Sequence, residues 1–127
     1  MYCLDTNIIV DFFRGNAEIV KKVNENKNVS TTMLNLCELF KGAYISSFSE
    51  LQIKQINDFS KEIQILNMSK ASCDNFGRIY SYLRKKGALS QDFDLMVAAI
   101  AIAENKTLIT KNVKHFENIP NLKIEKW

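Results

Sequence analysis

An α/β layered fold around a short-stranded, mainly parallel sheet is what this chain of 127 residues predicts. Three observations predict it. Short apolar runs alternate with amphipathic helical stretches, the pattern of strands joined by helical crossovers. The segment Leu95 to Ala103 is apolar without a break and free of glycine and proline, so it reads as a helix buried on every side. Polar corners follow two of the strands, at Asp5-Thr6-Asn7 and Lys111-Asn112, and ligands of such sheets bind outside the carboxyl ends of the strands.

Taken in order, Met1 to Leu4 reads as a strand. Ile8, Ile9, Phe12 and Phe13 then recur at helical spacing until Arg14-Gly15 stops them. Ala17 to Val23 gives a second helix and Asn28 to Thr31 a strand, with Ser30, Thr31 and Thr32 offering an N-cap. Met33, Cys37, Phe40 and Tyr44 predict the buried face of a third helix, with Asn35, Glu38, Lys41 and Gly42 on its solvated stripe. Leu51, Ile56, Phe59 and Ile63 predict a fourth helix over Phe48 to Ile63, followed by a strand at Ile63 to Leu66. Ser69 to Lys86 is a long helix with Cys73, Phe76, Ile79, Tyr80 and Leu83 as its apolar face. It ends in Arg84-Lys85-Lys86-Gly87, cations in the last turn and glycine as the stop. The buried helix comes next, then strands at Thr107 to Thr110 and Leu122 to Trp127.

The length suits one domain, residues 1–127, with a real core. Seventeen Lys and Arg against fourteen Asp and Glu give a formal charge of +3, compatible with nucleic acid but no argument for it alone. The three cysteines, Cys3, Cys37 and Cys73, are scattered and form no C-x-x-C, so they read as core thiols of a reducing compartment. No apolar run is long enough to cross a bilayer. A cytoplasmic protein without a membrane partner is expected.

The acids at the start of the buried helix carry the functional question. Asp94 lies beneath Val97, Ala98 and Ala101 at the i+3, i+4 and i+7 spacings, and an ionised carboxylate on a small apolar face must be wet or paired with something positive. Asp92 or Asp94 could simply cap the helix, which leaves the other unexplained. A right-handed crossover places the start of that helix at the carboxyl edge of the preceding strand, so Asp94 can share a rim with Asp5. Glu38 is within reach of that rim if its helix leans inward, and otherwise meets Lys41 at the surface. Converging carboxylates without cysteine or histidine partners suit Mg²⁺ or Mn²⁺. His115 is the only histidine and reads as a surface residue. No G-x-x-x-x-G-K-S/T or G-x-G-x-x-G loop occurs. Metal-assisted chemistry on phosphate remains.

The segments YCLDTNIIVDFF, CELFKGA, DFDLMVAAIAIA and TLITKNVKHFENIPNL resemble the PIN-domain ribonucleases, and more narrowly the VapC-type toxins of prokaryotic toxin–antitoxin pairs. The match runs the length of the chain in the family's order. The family pattern D-x-x-[IV]-A-A falls on Asp94 to Ala99 and so selects Asp94 over Asp92. The L-D-[TS]-[NS] corner falls on Leu4-Asp5-Thr6-Asn7, and E-L-x-x-G-A on Glu38, Gly42 and Ala43. Many relatives carry a fourth acid where this chain has Asn112, which brings no charge and reaches a metal only through water.

The resemblance implies a three-layer α/β/α sandwich and endonucleolytic cleavage of RNA with Mg²⁺ or Mn²⁺. Asp5, Glu38 and Asp94 would be the catalytic acids and metal ligands, supported by Thr6, Asn7 and Thr110. It further implies a homodimer and an antitoxin partner whose tail crosses the groove. Val20, Val23, Phe40, Tyr44 and Phe48 are candidates for the apolar seat of an antitoxin helix. Arg84, Lys85, Lys86, Lys111 and Lys114 are candidates for contacts with the RNA backbone. A receiver domain fails because Asp5 is followed by Thr-Asn and Gln64-Ile65-Leu66-Asn67 offers no phosphoacceptor. A D-x-D phosphatase fails at Asp5-Thr6-Asn7. The remaining alternative is a catalytically degenerate PIN module that binds RNA or a protein.

Overall fold

A computed structural model of the chain describes residues 1–127. Five strands form one sheet in the order β3-β2-β1-β4-β5, every pairing parallel. The strands are β1 (Tyr2–Leu4), β2 (Val29–Thr32), β3 (Gln64–Leu66), β4 (Thr107–Ile109) and β5 (Lys123–Glu125). Helices α1 (Thr6–Phe13), α2 (Ala17–Glu25), α3 (Met33–Ile45) and α4 (Ser49–Glu62) precede β3 or flank it, and α5 (Lys70–Lys86) and α6 (Asp92–Ala103) join β3 to β4. A 3-10 turn over Val113–His115 follows β4.

The pleat divides the core into two. Cys3 and Leu108 point to one side, into a cluster with Ile79, Leu83, Leu95, Val97 and Ile100 of α5 and α6. Leu4 and Ile109, one residue on, point to the other, among Ile8, Ile9, Ile19, Leu36, Leu39, Ile56 and Phe59 of α1 to α4. The result is the expected α/β/α sandwich. In α6 the residues Leu95 and Val97 to Ala101 are all fully buried, because its alanines let α5 and the sheet approach from two sides. Each buried leucine or isoleucine contributes about 1.5–3 kcal/mol relative to exposure.

Local signals set the ends. Ser69 caps α5 in a reciprocal box with Ser72, and Gly87 closes it at φ 67°, ψ 29°, a left-handed conformation that glycine enters without a Cβ penalty. Thr32 caps α3 in a box with Asn35. By contrast, α6 begins at Gln91 with no side-chain cap, so neither Asp92 nor Asp94 accepts the orphan amides. Asp92 is exposed and Asp94 half-buried.

Several faces differ from the sequence expectation. The buried side of α3 is Asn35, Leu36, Leu39 and Ala43, while Cys37 and Tyr44 are exposed and Met33 partly so. The helix is rotated because Asn35, read from sequence as solvated, finds partners on α1 and packs inward. In α5 the buried residues are Ser72, Ile79 and Leu83. Cys73 and Tyr80 point to solvent, since the capping box satisfies Ser72 and lets its hydroxyl go under. Leu51 is likewise exposed. Of the three thiols expected in the core, only Cys3 is there; burial and the charge of Asp5 push it up to about 12. No helix is long and apolar enough to cross a membrane.

Candidate active site

Asp5 is the first residue after the central strand β1 and the N-cap of α1. Its backbone amide continues the ladder by donating to the Ile109 carbonyl at 2.9 Å, so its Cα is fixed by the sheet. Its carboxylate is held by four donors. Oδ1 accepts from the Thr6 amide at 2.9 Å and Asn35 Nδ2 at 3.2 Å. Oδ2 accepts from Thr110 Oγ1 at 2.7 Å and, more distantly, Asn7 Nδ2 at 3.4 Å. Hydrogen bonds to a charged acceptor are the stronger kind. The supports are themselves tied: Asn35 Nδ2 also donates to Thr6 Oγ1 at 3.0 Å, and Thr32 Oγ1 donates to Asn35 Oδ1 at 2.6 Å. On the other side the Asn112 amide donates to Thr110 Oγ1 and the Lys111 amide to Asn7 Oδ1.

Asp94 has no such cradle. It stands in the uncapped first turn of α6 with 17% of its side chain exposed, and its one ionic partner is His115, whose Nδ1 lies 3.4 Å from Oδ2. Burial, the largest cause, pushes its carboxyl above the ordinary aspartate value, followed by the charge of Asp5. His115 pulls it back down and Glu38 adds a further upward push.

These side chains line one groove of about 580 Å³, with Asp5, Thr6, Asn7, Asp11, Arg14, Glu38, Lys41, Asp94, Lys111, Asn112 and His115 among its walls. Asp5, Glu38 and Asp94 therefore line one groove from three distant segments, and Asn112 is in the same wall. Thr110 sits beneath, fully buried. Of the cations picked from sequence only Lys111 lines the groove. Lys85 and Lys86 border a separate open surface along α5, and Arg84 and Lys114 line neither. The sequence reading missed Asn35, Asp11, Arg14, Lys41 and the pairing of His115 with Asp94. Only Asn35 had a local signal, its capping-box position after Thr32.

The donor set fits a hard divalent cation. It is all oxygen, and Asp94 brings to it a half-buried carboxylate whose ionised form burial and the charge of Asp5 disfavour. No three His, Cys, Asp or Glu side chains close on a single point. That suits an ion held by one or two carboxylates and water, the ordinary manner of Mg²⁺.

Comparison with known proteins bears on this arrangement. The PIN domain family model matches residues 2–122. Ribonuclease VapC2 of Rickettsia felis is 34% identical over 100% of this chain and 98% of its own. Ribonuclease VapC2 of Haemophilus influenzae (strain ATCC 51907) is 33% identical over 99% of this chain and 97% of its own. A chain in the crystal structure of VapBC2 from Rickettsia felis bound to a DNA fragment from their promoter superposes with a TM-score of 0.92 at 31% identity, covering 99% of this chain and 98% of that one. With its sheet order, its groove and its four motifs in sequence, this chain belongs to the PIN-domain ribonuclease family and is of the VapC type.

Proposed function

We propose that the chain, acting as one PIN unit over residues 1–127, is a Mg²⁺- or Mn²⁺-dependent endoribonuclease and the toxin of a type II toxin–antitoxin pair. The observation that carries the reading is the meeting of Asp5, Glu38 and Asp94 in one groove at the carboxyl end of the central strand. Asp5 and Asp94 would hold the cation, with Glu38 and Asn112 reaching it through water. When bound, the cation supplies a polarised phosphoryl oxygen and a water of lowered pKa. The chain's own residues do the rest. Four donors keep Asp5 from turning away. Thr110 and Asn7 tie the corner after β4 to the corner after β1. Lys111, which lines the groove and is held there by an ion pair with Asp11 at 2.8 Å, would be the sequence-expected cation nearest the RNA backbone.

A second groove supports the partner half of the reading. Val10, Phe13, Leu39, Ala43, Phe48, Leu51 and Ile56 line it between α1, α3 and α4, and it shares Thr6, Val10, Arg14 and Glu38 with the acidic groove. Phe48 and Leu51 are 70% and 69% exposed, an apolar edge suited to an amphipathic helix of an antitoxin. A tail continuing from that helix enters the acidic groove directly. Of the five residues expected at this seat only Phe48 lines the groove; Val23 is in the core, and Val20, Phe40 and Tyr44 are not among its walls. Pairing of two chains as a homodimer belongs to the same proposal.

The test is cleavage of RNA by the purified chain with Mg²⁺ or Mn²⁺, stopping in EDTA, together with co-expression beside the neighbouring small gene. Cleavage that persists in EDTA would remove the metal from the reading. No cleavage under any metal would leave the degenerate binding module. A chain that stays monomeric and active beside the partner would remove the antitoxin.

A further inference from the structure

The Asp5 carboxylate has no acceptor position to spare. An ionised carboxylate offers about four lone-pair positions, and four donors take them: the Thr6 amide and Asn35 at Oδ1, Thr110 and Asn7 at Oδ2. Asp5 is 6% exposed, although it lines the groove. A divalent cation binds a carboxylate through a lone pair of oxygen, so one donor has to yield before Asp5 can be a ligand. The four are not equally free to do so. The Thr6 amide belongs to the backbone at the start of α1. Asn35 and Thr110 are fully buried and neither lines the groove. Asn35 is also engaged by Thr32 at 2.6 Å, and Thr110 makes the shortest of the four bonds at 2.7 Å. Asn7 alone is a half-buried side-chain donor in the groove wall. Its Nδ2 lies 3.4 Å from Asp5 Oδ2 and 3.4 Å from Thr110 Oγ1, a divided bond beyond the ordinary N–H···O range. Its Oδ1 accepts the Lys111 amide at 3.2 Å, which fixes the end of the amide that faces Asp5.

We propose that Asn7 keeps the cation's place on Asp5: its Nδ2 occupies the acceptor position of Oδ2 that opens to the groove, and it swings out when a divalent cation binds, pivoting on the bond from the Lys111 amide to its Oδ1. This rests on the metal-dependent ribonuclease reading of the same groove. Two asparagines on one carboxylate then act in opposite senses. Asn35 holds Oδ1 from the buried side and fixes the direction in which Oδ2 points, which favours the ion. Asn7 holds Oδ2 from the groove side and competes with it. A neutral donor there has a physical reason. Without it, an ionised carboxylate would share the groove with Asp94 and Glu38 and have no donor on that side. Because the Asn7 bond is long and divided, breaking it costs little.

The experiment measures Mg²⁺ binding to the purified chain by isothermal titration calorimetry, with Asp94→Asn as the control that the ion enters this groove. Asn7→Ala removes the competitor and should tighten binding by about three- to ten-fold. Asn35→Ala loosens the frame and should weaken binding by about as much. If that variant does not fold, Asn35→Ser replaces it, since serine at this position closes a capping box as Ser72 does in α5 and brings no amide to Asp5. In the wild type, the Asn7 side-chain amide protons should exchange faster with water once Mg²⁺ is bound, while those of Asn35 stay protected, as NMR can follow. Unchanged or weaker binding in Asn7→Ala would overturn the place-holder and leave the metal reading standing, as would an Asn7 amide whose exchange Mg²⁺ does not change. Binding that Asp94→Asn does not weaken, or no binding in any of the chains, would refute the metal reading of the groove and the place-holder with it.

Discussion

Asp5 and Asp94 line the same groove, yet the fold handles their charges in different ways. Asp5 follows the central strand, and four donors converge on it from α1, α3 and the corner after β4. Asp94 stands in the first turn of a helix without a cap, has an apolar helix behind it, and has His115 as its one ionic partner. One carboxylate is part of the hydrogen-bonded frame; the other is half-buried with His115 as its one ionic partner. The difference separates rigidity from readiness.

The largest expected effect removes either half. Asp5→Ala and Asp94→Ala should each lower kcat/KM for RNA cleavage by about 10³-fold or more, roughly 4 kcal/mol of transition-state stabilisation. If Asp94→Ala retains most activity and Asp92→Ala does not, the division has been drawn at the wrong residue.

Next in size is the frame itself. Asn35 is completely buried, and its side chain links Thr32, Asp5 and Thr6. Asn35→Ala strips donors from a buried carboxylate and should cost about 2 kcal/mol, or roughly 8 °C in Tm. Thermal unfolding followed by circular dichroism checks this, and an unchanged Tm would mean that water replaces Asn35 without loss.

Asp94 should behave in the opposite sense. Its folded carboxyl is raised above the unfolded value, near 3.8, so between the two values the native chain holds more protons than the unfolded one. The stability this group contributes is complete below the unfolded pKa and is lost as pH rises through the folded pKa. In EDTA at neutral pH the ionised carboxylate is therefore a burden, and Asp94→Asn should raise Tm while removing activity. The gain is about 1 kcal/mol or less, given the residual exposure, hence roughly 4 °C at most. Millimolar Mg²⁺ should stabilise the wild type by mass action and the variant less. A variant that melts lower in EDTA and responds fully to Mg²⁺ contradicts this account of Asp94.

The smallest effects lie at the edge of the comparison. Asp92 is exposed and caps nothing, so Asp92→Ala should change stability by no more than about 0.5 kcal/mol. His115→Ala removes the one group pulling the Asp94 carboxyl down. An NMR titration of Asp94 should then show a further rise, and no movement would mean that His115 and Asp94 do not meet in solution.

Much of this arrangement was legible in the sequence. Short apolar runs gave all five strands to within a residue or two, and the unbroken run after Asp94 gave the buried helix. The three acids were legible through motif order, and the structure brings them to one groove. Asn35 was not legible as a buried residue. Helical periodicity assigns a polar side chain to the solvated stripe, and what draws this one inward is Asp5, 30 positions away. The capping-box position after Thr32 marks Asn35 as a helix-start residue, but nothing within the helix marks it as buried. The basic run Arg84-Lys85-Lys86 misled for the complementary reason. It is conspicuous because it is contiguous, whereas Arg14, Lys41 and Lys111 converge only after α1, α3 and β4 have packed.

The position of β1 in the middle of the sheet also sets a timetable for synthesis. The strand leading to Asp5 pairs on one side with β2 and on the other with β4, and the donor nearest to the Asp5 carboxylate, Thr110, lies 105 residues downstream. Chains emerge from the ribosome N-terminus first, at about 5–20 residues per second. Asp5 is therefore among the first residues made and among the last to be set in place. A nascent chain that stops before β4 carries two of the three acids alone or all three unassembled, and it has no frame to hold Asp5. On the ribonuclease reading, a chain ending before β4 should therefore cut no RNA, which a cleavage assay of the truncated product checks.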